Sequence, residues 1–112
     1  MDIEVRSLAQ VKVIKLRGKL SLGESVDRLR VTLDDLINSG NTRIVLDLGE
    51  VPMMDSSGIG LLVKSLTSAK QAGGSLRLAN PSKFVTQTMK MIGLLNLFDT
   101  FEDQQQAVAS FG

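Results

Sequence analysis

Apolar positions along this chain change their spacing several times, and each change marks an element. In DIEVRS, residues 2–7, Ile3 and Val5 alternate with polar neighbours, as a short half-solvated strand requires. VKVIKLRG, residues 11–18, continues the alternation through Val11, Val13 and Leu16 and ends at Gly18. The short LAQ between the two runs predicts a hairpin. SLGE, residues 21–24, has the form of a capping box, in which Ser21 accepts from the Glu24 amide and Glu24 reaches back to the Ser21 amide. Val26, Leu29, Leu33, Leu36 and Ile37 then recur at helical spacing, and Gly40 supplies the stop. RIVLDL, residues 43–48, is almost continuously apolar and rich in branched side chains, which suits a parallel strand covered on both faces.

The second half repeats the alternation of strand and helix. Ile59, Leu62, Val63, Leu66 and Ala69 form one stripe, closed by Gly73 and Gly74. SLRLA, residues 75–79, is the next strand. NPS offers Asn80 as a cap with Pro81 at the first helical position, and Phe84, Val85, Thr88, Met89 and Ile92 follow as a third helix stopped by Gly93. LFDTF, residues 97–101, predicts a last short strand, and EDQQQAVASF a terminal helix with its acids in the first turn. A strand pair leading into strand–helix alternation predicts an α/β fold with a mostly parallel sheet. With 112 residues, no repeat and no low-complexity linker, residues 1–112 are expected to form a single domain.

Composition narrows the chemistry. The chain is 43% hydrophobic and 22% charged, and its aromatics are all Phe, so the core must be aliphatic. Its formal net charge is +1, without the basic stripe that a nucleic-acid groove needs. Lys12, Lys15, Arg17 and Lys19 cluster, but they alternate with apolar residues as the wet side of a strand does. Cys and His are both absent, which excludes a Ser-His-Asp triad, a Cys nucleophile and a His/Cys zinc site. No metal or cofactor is called for. MDIEVRSLAQ lacks an apolar signal core, and no run reaches membrane-spanning length, so a soluble, cytoplasmic chain without membrane insertion is expected.

One stretch is not explained by a core. VPMMDSSGIG, residues 51–60, sits where the third strand hands over to the second helix, the place where ligands and partners gather in α/β folds. Asp55 or Ser56 can cap that helix. Gly58 and Gly60 lie in its first turn, where each costs about 1 kcal/mol relative to Ala. Small residues there suit the close approach of another chain. The helical wheel also turns Gly60, Leu61, Lys64 and Ser68 away from the apolar stripe, so this side of the helix is the expected docking surface.

MDSSGIG, preceded by RIVLDL and followed by an amphipathic helix, resembles the signature of the STAS-domain anti-sigma factor antagonists. LRGKL, GGSLRLAN and MIGLLNLF fall in the family's order, so the resemblance spans essentially the whole chain. It implies a STAS-like fold, with a mixed, mostly parallel sheet of four to five strands and about four helices. It also implies a binding protein rather than an enzyme. In that family an unphosphorylated antagonist binds an anti-sigma factor that is itself a serine kinase, so a sigma factor goes free. The kinase then phosphorylates the first Ser after the Asp, and a serine phosphatase resets the switch. Carried over by motif, the phosphorylated residue is Ser56, with Asp55, Ser57 and Gly58 around it and Gly60, Leu61 and Lys64 on the partner-binding helix. The family often has Gly-x-Leu-Asp at the end of its second strand, where this chain has Gly18-Lys19-Leu20-Ser21. The family acid lies near the phosphorylation site, so Ser21 belongs to the expected partner surface and bears on partner choice.

Rival readings meet chemical obstacles. Acyl transfer lacks a His base and a GxSxG elbow, and Lys64 lies over two helical turns from Ser56. Nucleotide binding lacks a GxxxxGK[ST] loop. A STAS-like structural subunit of a lipid-transport or transporter assembly keeps the fold and changes the partner; the intact DSSG favours the regulator.

Overall fold

The computed structural model describes residues 1–112. β1 (Asp2–Leu8) and β2 (Val11–Arg17) form an antiparallel hairpin that turns at Ala9 and Gln10. Then follow α1 (Glu24–Asn38), β3 (Arg43–Glu50), α2 (Ser56–Gln71), β4 (Ser75–Ala79) and α3 (Lys83–Met91). A 3-10 turn at Leu95–Leu97 leads to β5 (Thr100–Phe101) and α4 (Gln104–Ala109). The five strands lie in sequence order, and every pairing beyond β1–β2 is parallel. The α/β class and the mixed, mostly parallel sheet are those expected.

The run RIVLDL works as its composition requires. Ile44, Leu46 and Leu48 point into the main core with Ile14, Leu16, Leu76 and Leu78 from the neighbouring strands. Val26, Leu29 and Leu33 of α1, Leu62 and Leu66 of α2, and Val85 and Met89 of α3 close that side. Alternation sends Val45 to the opposite face, where Val11, Val13, Val45 and Ala79 pack on Ala107 of α4. Asp47 shares that second face and is buried. Its carboxylate accepts from the Gly49 amide at 2.9 Å and from Gln104 Nε2 at 2.6 Å. A buried acid held this way has a donor from its own chain on each oxygen.

Several local expectations change. Ser21 does not cap α1. The chain runs two residues further through Leu22 and Gly23, whose φ of 118° forms the turn, so Glu24 is the first helical residue rather than the third. The Ser21 amide donates to Ser25 Oγ at 3.0 Å, and Ser25 Oγ donates back to the Ser21 carbonyl at 2.9 Å. Asn80 does not cap α3 either. Its amide donates to the Phe101 carbonyl at 2.7 Å, which ties it to β5, and Ser82 takes the cap by accepting from the Val85 amide. The last strand is confined to Thr100 and Phe101, since Phe98 is buried in the main core just ahead of it. The basic cluster splits across the hairpin. Lys15 meets Glu50 at 3.2 Å and Arg17 meets Glu50 and Glu4 on one face, whereas Lys12 donates to Ser7 Oγ from the other.

Candidate functional site at the start of α2

The junction after β3 is stitched to the loop after β2. Leu20 and Met54 form an isolated parallel bridge. The Leu20 amide donates to the Met53 carbonyl, and the Asp55 amide donates to the Leu20 carbonyl, each at 3.1 Å. Residues 20–22 therefore lie directly beside residues 53–55. Ser21, half-buried, is thereby set next to the motif, which is where the family's acid is expected.

Asp55 is the cap of α2, which resolves the choice between Asp55 and Ser56. Its Oδ1 accepts from the Gly58 amide at 2.9 Å, and its Oδ2 accepts from the Leu22 amide at 2.8 Å. One carboxylate thus satisfies an orphan donor of the helix and fastens the neighbouring loop. The Leu22 amide, then the Gly58 amide, hold the carboxyl below its ordinary range, with burial opposing them. Asp55 is ionised at neutral pH.

Ser56 is the first residue of α2 and is exposed; Ser57 is half-buried. Gly60 and Lys64 are exposed too, and nothing lies within 4 Å of where a Gly60 side chain would begin. Ser56, Gly60 and Lys64 follow one another at steps of four, so they stack in a column on the outer face. Lys64 is about 12 Å along the axis from Ser56 by helical rise.

Three expectations about this helix are corrected. Leu61 is buried, at 5% exposure, in the main core. The buried arc is wider than the stripe suggested, because α2 lies against both the sheet and α1 and so also covers Gly58 and Ser65. Val63, assigned to the stripe, is only partly buried. Gly58 serves its own chain rather than a partner. A methyl group there would lie 2.8 Å from the Leu20 carbonyl oxygen and 2.9 Å from Leu20 Cγ. Leu22, used in the sequence only as filler of the SLGE pattern, is 78% exposed beside Asp55. The signal for it was the apolar residue between two turn formers.

The sequence profile of the STAS domain matches residues 2–107. The chain belongs to the STAS domain family. Among its relatives is an anti-sigma F factor antagonist of Paenibacillus polymyxa, 27% identical, with the match covering 96% of this chain and 92% of the relative. An anti-sigma-B factor antagonist of Bacillus subtilis is 31% identical over 88% of this chain and 80% of its own length. The fold superposes on the Bacillus cell fate determinant SpoIIAA in its phosphorylated form with a TM-score of 0.78, at 23% identity, covering 97% of this STAS domain and 98% of that chain. In this STAS domain no helix is long and apolar enough to cross a membrane.

Proposed function

We propose that this STAS-domain protein is an anti-anti-sigma factor that acts by binding rather than catalysis. With Ser56 unmodified it docks an anti-sigma factor that is also a serine kinase, and a sigma factor is released to transcription. Phosphorylation of Ser56 ends the docking, and a serine phosphatase restores it. The setting is the cytoplasm. The observation that carries the reading is the division of labour at the start of α2: Asp55 secures the helix and the loop, which leaves the exposed Ser56 hydroxyl free of any structural duty.

That division makes a surface switch possible. A phosphate on the first helical residue meets the positive end of the helix dipole, so the fold tolerates it. About −1.5 to −2 charges then appear beside ionised Asp55. The docking face consists of Leu22 and Ser21 on the loop, Ser56 and Ser57 at the helix start, and Gly60 and Lys64 along the column. A partner that fits this face with a neutral Ser56 loses affinity through repulsion and desolvation, without a rearrangement of the fold. The names of the relatives, antagonists of anti-sigma factors, support the same reading.

Copurification from the cells that encode the chain, followed by mass spectrometry of bound proteins and of the Ser56 peptide, tests it. The expected results are a co-eluting anti-sigma kinase, label on Ser56 after ATP is added, and no label in Ser56→Ala. Ser56→Asp should stay folded and lose the partner. Label on Ser57, or undiminished binding by Ser56→Asp, would refute the switch.

A further inference from the structure

β1 is one of the two edge strands of the sheet and pairs on one side only, with β2. It is also uncovered on the face that helices protect elsewhere. Val5, which lies opposite buried Ile14, remains 43% exposed, and Val31 of α1 is 58% exposed. An open groove of about 470 Å³ separates strand from helix, lined by Ile3, Val5, Asp27, Arg28, Val31 and Thr32. Bare strand edges accept another strand unless charge, proline or a bulge blocks them. β1 carries two acids followed by a cation, Asp2, Glu4 and Arg6, all on one face. Glu4 and Arg6 both lie on the face away from the groove, opposite Lys15 and Val13. Glu4 meets Arg17 there at 3.5 Å, and Arg6 donates to Gln104 Oε1.

We propose that β1 pairs antiparallel with β1 of a second copy of this chain, about a two-fold axis through Val5. Opposed residues in an antiparallel pair share a face, so the possible registers differ by steps of two positions. With Val5 opposite Val5, Glu4 of each copy faces Arg6 of the other, and Ile3 faces Ser7. Shifting one step towards the N-terminus sets Asp2 against Arg6 but puts Glu4 on Glu4; shifting the other way puts Arg6 on Arg6. With Val5 on Val5, Asp2 faces Leu8 and no like charges are opposed. Directly opposed like charges destabilise a sheet, and opposite charges support it. The central register is the one of the three that the charges favour. A two-fold axis normal to the sheet keeps the same face upward in both copies. The two grooves therefore join around the Val5 pair, which takes Ile3, Val5 and Val31 out of water. The contact is one strand and a shallow groove, which places it in the small, weak class of interfaces. The groove shares no residue with the face around Asp55 and Ser56, and the pairing does not depend on what they bind.

Sedimentation equilibrium of the whole chain over rising concentration, up to millimolar, tests the pairing. The average mass should climb from 12.1 kDa towards twice that value. Glu4→Arg and Arg6→Glu, each alone, should stay at monomer mass, since every Glu4–Arg6 pairing becomes a like-charge pairing. An equimolar mixture of the two variants should recover the wild-type mass. In the mixed dimer the new cation faces the new acid, and native Arg6 faces native Glu4. Circular dichroism checks the folding of each variant. If either fails to fold, the double variant Glu4→Arg/Arg6→Glu, which preserves net charge and both pairings, should dimerise as the wild type does. A wild type that stays monomeric throughout overturns the proposal. So do single variants that dimerise normally, or a mixture that does not recover.

Discussion

Replacing Gly58 with Ala adds one methyl group at the point where α2 and the loop after β2 touch. The new carbon would lie 2.8 Å from the Leu20 carbonyl oxygen, 2.9 Å from Leu20 Cγ and 3.0 Å from Met54 Cγ. The first of these is backbone and cannot swing aside. That same carbonyl accepts from the Asp55 amide, and the Leu22 amide two residues on donates to Asp55 Oδ2. Relief of the clash therefore stretches two hydrogen bonds together. Three terms compete. Helix propensity favours Ala by about 1 kcal/mol. Overpacking costs about 1–3 kcal/mol. Weakening two hydrogen bonds costs about 0.5–1.5 kcal/mol each. The net expectation is a loss of about 1–4 kcal/mol, the sum of the last two terms less the first, with incomplete rupture of the bonds keeping it from the upper extreme. Gly60→Ala is the control, because open space surrounds that position. It keeps the propensity gain alone and should stabilise by up to about 1 kcal/mol. Urea unfolding of the two variants beside the wild type measures the difference. Equal stabilisation by both substitutions would show that the loop does not press on the helix, and the stitched geometry assigned to the site would be wrong.

Leu61→Ala should cost about 2–5 kcal/mol in the same urea assay by opening a core cavity, whereas an exposed leucine would cost almost nothing. Gly60→Arg should leave a folded protein that no longer binds the copurifying partner; normal binding in a titration would remove α2 from the docking face. Ser56→Asp should move stability by no more than about 1 kcal/mol, because an acid at the first helical position complements the dipole. Asp55 and Glu50 both titrate below their ordinary range, through the Leu22 amide and the Lys15 ammonium respectively. A depressed carboxyl contributes stability above its unfolded pKa and loses it as pH falls through the folded value. Thermal midpoints should therefore drop below about pH 4. Asp55→Asn should flatten that acid limb, and a midpoint that ignores acid in the wild type would contradict the assignment.

Much of this architecture is legible in the chain because periodicity reports burial directly. The alternation in β1 and β2, the branched run of β3 and the glycine stops of α1 and α2 each follow from one rule. Asp55 and Ser56 stand out because a core has no use for them. What stays hidden depends on contacts distant in sequence. Leu61 points inward because α1 lies against α2, which also buries Ser65 and Gly58, a polar and a side-chain-free residue that no hydrophobic stripe can reveal. Gly58 resembles an opening for a visitor until Leu20, 38 positions earlier, is found against it. Ser21 matches a capping box in composition, but a glycine with positive φ at position 23 delays the helix. Asp47 breaks an apolar run, and its reason, Gln104, lies 57 residues away.

The two inward bonds of Asp55 bear on who controls the timing of modification. Both of its oxygens are already spoken for by backbone amides of its own chain. These bonds hold its carboxyl below the ordinary range, so the acid beside the acceptor hydroxyl is a poor base for that hydroxyl, and Lys64 is too far along the helix to help. Under the proposed function, Ser56 is an inert alcohol until a visitor brings its own base, nucleotide and metal. Spontaneous transfer from a passing phosphodonor would find no assistance at this surface. The clock of the switch would then belong to the kinase and phosphatase, and the STAS domain would hold its setting passively between visits.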